Sequence, residues 1–338
     1  MNAVYRVARR RAAAVVFSTL LSIGYSAVAA AAGVQPPQAQ QPPAQQPPAP
    51  ARPAGPPDPA ADALRAAQQK VRAGQFDEAL AAYAQILQQY PNSVQAMNQT
   101  GVVLDLMGKY ADARQSFTKA IAAATTPQAK AQGLRSMAMS YAFQSDCKGA
   151  TPYESQLYET YLGQGDYYNA GEIADELARI CIESGDLDTA ETWYRMGYTA
   201  GLQEPGIKPA RKDLWDFRWE HAMARLEARR GHKEEAQKHV ALAKAALDKG
   251  TNPEQAQFLP YLTGYVAFYT GDYKTALDDL LKGNQNDPFI LSLIAQTYEK
   301  LGNQADATAT YKKILGITIH NPTNAFARPL AKKKLGQG

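Results

Sequence analysis

Residues 108–117, GKYADARQSF, decide the fold, because the spacing within them recurs along the chain. A glycine is followed at position +2 by a residue that is usually large, at +5 by alanine, and at +9 by another large residue. The clear copies are Gly74-Phe76-Ala79-Tyr83, Gly108-Tyr110-Ala113-Phe117, Gly185-Leu187-Ala190-Tyr194, Gly271-Tyr273-Ala276-Leu280 and Gly302-Gln304-Ala307-Tyr311, and Gly231-Lys233-Ala236-Val240 is a weaker one.

This spacing predicts two helices joined by a tight turn. The glycine can end the first helix in a left-handed conformation that other residues resist. The alanine lets the second helix approach the first closely, and the large residue fills the space between them. Prolines that stop helix propagation are expected at or after the ends of the second helices, and these are Pro91, Pro127, Pro253, Pro288 and Pro322.

The recurring pattern resembles that of the tetratricopeptide repeat family, whose units are about 34 residues long. The resemblance implies an all-α fold, a right-handed α-solenoid of antiparallel helix pairs, with about seven units over a repeat domain at 60–322. The third unit departs from the pattern at its turn, Ser145–Gly149, and an irregular insert at 203–213 separates the fourth and fifth units. The units are expected near 60–93, 94–127, 131–165, 171–204, 217–250, 257–290 and 288–321.

The resemblance also implies that positions 2, 5, 9, 12 and 13 of each unit line a concave groove. The fifth unit places a basic strip there and the sixth an aromatic strip, which could together bind acidic and apolar groups of a peptide. The candidate partner-binding residues are Arg218, His221, Arg225, Arg229, Phe258, Tyr261, Tyr265, Phe268 and Tyr269. In the second unit the groove positions hold Asn98 and Val102, so the carboxylate clamp of peptide-binding family members is not present in its familiar form.

Both strips have a structural alternative. The aromatic rings could belong to the core, because the opposite side of their helix carries only small residues, namely Pro260, Thr263, Gly264 and Ala267. The arginines could pair with carboxylates on the same or adjacent turns, which would give an exposed charged face of little energetic value. Those carboxylates are Asp213, Asp216, Glu220 and Glu227.

The N-terminal region predicts export. Residues 1–32 have basic residues, then an apolar run, then small residues, which is the order of a secretory signal peptide, although an uncleaved anchor is possible. Residues 33–59 are rich in proline and glutamine and are expected to be a disordered linker. The expected location is therefore periplasmic or extracellular, with no membrane span after signal cleavage. An oxidising compartment would permit one disulfide between Cys147 and Cys181, and the sequence leaves that bond open.

The charge balance argues against a nucleic-acid partner. The chain has 36 Lys+Arg against 32 Asp+Glu, and removal of the four arginines of residues 1–32 leaves 32 against 32. Residues 323–338 are expected to be a basic C-terminal tail that carries Arg328, Lys332, Lys333 and Lys334.

No motif for catalysis, metal binding or a cofactor emerges from the sequence. The four histidines form no ligand pattern, and neither a phosphate-binding loop nor a nucleophile elbow is present. The predicted function is therefore a non-catalytic scaffold or assembly factor, with no cofactor, that binds an extended peptide or a partner protein with acidic and apolar groups in the groove. The alternatives are a structural spacer of the cell envelope and an enzyme with a cryptic site, which would show titratable side chains converging in a closed pocket.

Overall fold

The computed structural model describes residues 60–337. The predicted signal peptide (1–32) and linker (33–59) lie outside the described residues. Between residues 60 and 337 the chain forms α-helices and one 3-10 helix and no strand. No helix in this part of the chain is both long and apolar enough to cross a bilayer.

Fifteen α-helices follow one another in the described residues. They are α1 (Ala61–Arg72), α2 (Phe76–Gln89), α3 (Val94–Met107), α4 (Tyr110–Ala123), α5 (Pro127–Ala142), α6 (Cys147–Gly163), α7 (Tyr167–Ser184), α8 (Leu187–Leu202), α9 (Pro209–Arg230), α10 (Lys233–Asp248), α11 (Leu259–Tyr269), α12 (Tyr273–Leu280), α13 (Pro288–Lys300), α14 (Gln304–Leu315) and α15 (Pro322–Lys334); the 3-10 helix Pro253–Phe258 precedes α11.

Successive helices pack as pairs, from α1–α2 to α13–α14, and each pair packs on the next. The predicted fold class, an all-α solenoid of about seven helix pairs, is therefore confirmed. Helix α15 follows the last pair.

The recurring glycine and alanine have the roles that their spacing predicted. All six glycines of the motif lie in the left-handed region, with φ between +74° at Gly74 and +89° at Gly108. All six motif alanines are 0% exposed, so no larger side chain would fit between the paired helices. The final large residue is buried in every clear copy, whereas Val240 in the weaker copy is only half-buried.

The third pair makes the same turn without glycine. Ser145 has a φ of +52° and is the only non-glycine residue of the described chain with a positive φ. The next residue, Asp146, caps α6 by accepting a hydrogen bond from the Gly149 backbone N–H at 2.8 Å. The geometry of the turn is thus retained while its sequence pattern is lost.

A disulfide joins the start of α6 to the end of α7. Cys147 and Cys181 are both buried, and their Cα atoms are 4.7 Å apart. The bond links the third helix pair to the fourth and settles the pairing that the sequence left open.

All five prolines lie after the ends of second helices, as the sequence predicted. Pro127, Pro253, Pro288 and Pro322 each occupy the first position of the following helix, where a missing backbone N–H is tolerated. Only Pro91 lies in the turn after a second helix. Two of these prolines, Pro127 and Pro288, therefore start first helices of pairs, and Pro322 starts α15.

The prediction of a basic tail at 323–338 is wrong, because most of this segment forms α15. The Arg328 guanidinium is buried and donates to the backbone oxygens of Leu106 at 2.8 Å, Leu315 at 2.9 Å and Ile317 at 3.1 Å. The Lys332 ammonium donates to the Met107 oxygen at 2.6 Å. These cations satisfy helix-end carbonyls instead of facing solvent.

The close packing at the alanines gives a first prediction. Ala79→Leu in α2 should destabilise the protein by about 1–3 kcal/mol, because the added methyl groups have no space between paired helices. The matched control is Ala84→Leu, an exposed position of the same helix. Urea unfolding followed by circular dichroism measures both, and equal midpoints for the two variants would contradict the packing argument.

The disulfide gives a second prediction. The double variant Cys147→Ala/Cys181→Ala should be less stable than the native chain by about 2–4 kcal/mol, because the bond closes a loop with a sequence separation of 34 residues. A reducing agent should lower the melting temperature of the native protein and leave that of the double variant unchanged. If reduction has the same effect on both proteins, the bond does not form.

Candidate ligand-binding groove

A cavity of about 610 Å³ lies among the first helices of the last four pairs. Its walls come mainly from α7, α9, α11 and α13, together with the 3-10 helix before α11. The predicted partner-binding residues that line it are Arg218, His221, Arg225, Phe258 and Tyr261. The basic and aromatic strips therefore meet in one cavity, but only through part of each strip.

The fourth pair supplies a wall that was not proposed from the sequence. Glu172, Asp175 and Arg179 of α7 line the cavity, and they occupy positions 2, 5 and 9 of the unit that starts near Gly171. The groove positions that gave the basic strip in the fifth unit and the aromatic strip in the sixth unit would have identified these residues, had they been counted in the fourth unit.

Arg218 and Arg229 at the two ends of the basic strip are held by the preceding helix pair. Arg218 forms an ion pair with Glu172, and its guanidinium lies 4.9 Å from the centre of the Trp215 ring. Arg229 donates to the Ile182 backbone oxygen at 2.8 Å and lies 3.3 Å from a Glu183 carboxylate oxygen. Both arginines therefore join α9 to α7.

The alternative in which these arginines pair with carboxylates of their own helix is wrong for all four carboxylates, whose partners are other residues. Asp213 pairs with Lys249 at 2.5 Å, Asp216 with Lys212 at 2.8 Å and Glu220 with His239 at 2.5 Å. The fourth carboxylate, Glu227, pairs with Arg230 at 2.8 Å. The basic strip is thus neither an exposed charged face nor neutralised from within α9.

Two arginines of the cavity have no carboxylate partner. Arg225 is 7% exposed, and it donates to the Tyr194 hydroxyl at 2.9 Å and to the His221 backbone oxygen at 3.3 Å. The side chain of Arg179, on α7, makes no hydrogen bond within residues 60–337. In that part of the chain no carboxylate oxygen lies within 4.0 Å of either guanidinium.

Burial shifts the pKa values of two titratable groups that line the cavity with these arginines. Burial raises the pKa of Asp175 to about 7, although the guanidiniums of Arg218, Arg225 and Arg179 act in the opposite direction. Burial, and then the same three arginines, hold the pKa of His221 well below its usual range, so His221 is neutral at pH 7. Asp175 is therefore partly protonated at pH 7, and a second lining carboxyl, Asp287, caps α13 and forms no ion pair with Arg179 or Arg225.

The aromatic strip divides between cavity and core. Phe258 is 41% exposed, and the buried Tyr261 has its ring centre 5.6 Å from that of His221. Tyr265 and Phe268 lie in the core, and Tyr269 is partly buried against Tyr265 at 4.5 Å. The prediction that Tyr265 and Phe268 contact a partner is wrong, because α9, α12 and α13 cover α11 on its different sides.

A second cavity, of about 530 Å³, lies among α1, α3 and α5. Its lining includes Asn98 and Val102 and also residues Thr318–Pro322 from the C-terminal segment. The Asn98 side-chain oxygen is buried and has no hydrogen-bond partner in the described chain.

Beside this cavity, Asp105 bridges a serine and a histidine. One carboxylate oxygen accepts from the Ser140 hydroxyl at 2.8 Å, and the other lies 2.9 Å from Nε2 of His320. In a catalytic triad the histidine lies between the serine and the acid, whereas here the acid lies between the serine and the histidine. His320 is therefore not placed to take a proton from Ser140. Within residues 60–337, no group of three or more His, Cys, Asp or Glu residues could hold a metal ion.

Comparisons with known proteins identify the repeats. Family models described as tetratricopeptide repeat match residues 64–129 and residues 290–318. No curated protein matches the sequence. Among solved structures, a tetratricopeptide repeat protein from Parabacteroides merdae ATCC 43184 is 15% identical with a TM-score of 0.47, over 82% of this chain and 97% of that one. The P58(IPK) TPR domain is 14% identical with a TM-score of 0.28, over 83% of this chain and 99% of that one.

The raised pKa of Asp175 gives a third prediction. Because this carboxyl stays protonated in the folded protein up to about pH 7 while the unfolded chain ionises near pH 4, it lowers stability as the pH rises between these values. Asp175→Asn should therefore stabilise the protein more at pH 8 than at pH 5, as measured by urea unfolding. Asp77→Asn, at an exposed site of α2, is the control. A stability gain of the same size at both pH values would contradict the assignment.

Proposed function

We propose, from the premise that this chain belongs to the tetratricopeptide repeat superfamily, that it is a non-catalytic scaffold which holds an extended peptide in its concave groove. The peptide carries at least one carboxylate and apolar side chains. The observation that supports this most strongly is the cavity that Arg179 and Arg225 both line without carboxylate partners.

The unpaired guanidiniums favour an acidic ligand. Removing a charge from water without a partner costs several kcal/mol. A carboxylate that enters the cavity and pairs with a guanidinium offsets part of this cost, which favours binding. Guanidinium groups also bind carboxylates through two parallel hydrogen bonds, which fixes the position of the ligand. Arg218 and Arg229 would contribute little, because Glu172 and Glu183 already pair with them.

The remaining wall favours apolar side chains next to that carboxylate. Phe258, Pro260, Tyr261, Phe289 and Ile290 form a continuous part of the lining from the 3-10 helix to α13. Phe258 is the most exposed residue of this wall, at 41%. A ligand would therefore remove more apolar area from water at Phe258 than at the other four residues.

A binding role fits the cavity better than catalysis does. The side chains that line it include no serine, threonine or cysteine that could act as a nucleophile. Asp175, with a pKa of about 7, is the group that favours the alternative of a cryptic acid–base enzyme. Mass spectrometry of the peptides after incubation separates the two, because a scaffold returns them intact.

We also propose that the protein acts outside the cytoplasm. The order of residues in segment 1–32 supports export, and the disulfide between Cys147 and Cys181 is of the kind that persists in an oxidising compartment. The alternative of an envelope spacer would assign the function to residues 33–59 and leave the cavity without a ligand.

Direct binding tests the proposal. The probes are a pool of labelled ten-residue peptides built from Glu, Leu, Pro and Gly and a matching pool with Gln in place of Glu. We expect the Glu pool to bind the full chain more tightly, by about tenfold, and Arg179→Gln to abolish that difference because its guanidinium supplies the charge. Fluorescence anisotropy gives both affinities. Phe258→Ala should weaken binding of both pools.

The control variant is Arg195→Gln, which changes an exposed arginine of α8 away from the cavity. Affinity for the Glu pool should also rise from pH 8 to pH 6, because a bound carboxylate raises the pKa of Asp175 further and so favours proton uptake. If Arg179→Gln and Arg195→Gln bind the Glu pool equally, this cavity is not the binding site.

A further inference from the structure

The C-terminal segment crosses the concave face and lies between the two cavities. Residues Thr318–Pro322 line the cavity among α1, α3 and α5, and Pro322 also lines the cavity among α7, α9, α11 and α13. Helix α15 then packs on α13 and α14 and contacts α5 and α7. A part of the same chain therefore borders both cavities.

His320 holds this segment to the second and third helix pairs. Its Nε2 lies 2.9 Å from the buried Asp105 carboxylate, and its ring centre lies 5.5 Å from that of Phe143 and 5.9 Å from that of Phe117. A side chain of a distant segment therefore fills an acidic, aromatic pocket on the concave side.

Two cations of α15 reinforce this attachment. Arg328 and Lys332 donate to the last carbonyl oxygens of α3, on Leu106 and Met107. The chain separation between these partners is 222 and 225 residues, whereas units of a solenoid ordinarily contact only their neighbours. The attachment joins the end of the repeat array to its second pair.

The attachment also has an apolar part, in which Phe326 packs against both cores. Ala325 packs in the core formed by the first five pairs, while Ala327 and Ala331 pack in the core of the last three. Ile319, next to His320, is 45% exposed, and residues 317–320 form no helix. Hydrogen-bonding contacts of His320, Arg328 and Lys332, together with packing of Ala325 and Phe326, thus hold the segment to the first helix pairs.

We infer that residues 316–335 form a clasp that closes the concave groove in cis and opens to admit the partner. This inference concerns regulation of the groove and rests on the proposed function for the identity of that partner. With His320 and Arg328 in place, each cavity is separate. Release of both residues joins the cavities into one continuous groove, long enough for an extended peptide that contacts α3, α5, α7 and α9 together.

The test uses labelling that needs no ligand. Both native cysteines are in the disulfide, so a cysteine introduced at Gln99, in the lining of the 530 Å³ cavity, is the only free thiol. Without reductant, a polyethylene-glycol maleimide too large for the cavity should react slowly with Gln99→Cys in the otherwise native chain. Adding His320→Ala and Arg328→Gln should accelerate that reaction at least tenfold.

Controls separate opening from unfolding. A cysteine at Gln115, on the exposed surface of α4, should react at the same rate with and without the clasp substitutions. If the double substitution lowers the helical circular dichroism, Lys332→Met alone replaces it, because this removes one hydrogen bond to Met107 and should still speed the reaction at position 99.

Spin labels report the opening directly. Lys109→Cys and Lys333→Cys are exposed and lie on the two sides of the attachment. Double electron–electron resonance should give one short distance in the native background and a broad, longer distribution with the clasp substitutions. An unchanged distance, or an unchanged reaction rate at position 99, would show that α15 is a fixed part of the fold and would overturn the inference.

The peptide pools decide a separate question. If the proposed function holds, the clasp substitutions should increase affinity for the Glu pool. A Glu pool that binds neither the native chain nor the clasp variant counts against the peptide-binding function, and the labelling rate and the spin-label distance still decide whether the clasp opens.

Discussion

The structure depends on the contact between two helices at a fully buried alanine. In all seven pairs an alanine of the second helix is 0% exposed, and in six of them a glycine in the left-handed conformation turns the chain so that the contact can form. Close packing makes each pair a rigid unit with little tolerance for added volume. Because pairs stack in order, the first helices come to lie side by side, and the groove is a consequence of the same packing.

The fold could be predicted from the sequence because its determinants are local. A glycine, an alanine and a large residue within ten positions specify one helix pair, and repetition specifies the array. Ser145 shows the limit of this reasoning. It makes the left-handed turn without the glycine signal, and the capping residue Asp146 supports the turn through a contact that composition alone does not reveal.

The site could be predicted only in part, because burial is decided by helices distant in the sequence. Phe258 and Tyr261 line the cavity, while Tyr265 is covered by its neighbours, although all three share one register. The same register applied to α7 would have found Arg179. No local pattern could have shown that Arg328 contacts Leu106 across 222 residues, since its basic neighbours resemble a solvated helix end.

The arginines of the concave side differ in how their hydrogen-bonding capacity is used, and this difference separates structural from binding residues. Arg328 donates to three backbone oxygens, and Arg229 to one backbone oxygen and a carboxylate. Arg225 reaches a hydroxyl and one carbonyl, and Arg179 makes no hydrogen bond within residues 60–337. A satisfied guanidinium can fix two helices relative to one another but has little left to offer a ligand. The side chain of Arg179 keeps its hydrogen-bonding capacity, so among these arginines it has the most to offer a carboxylate under the proposed function.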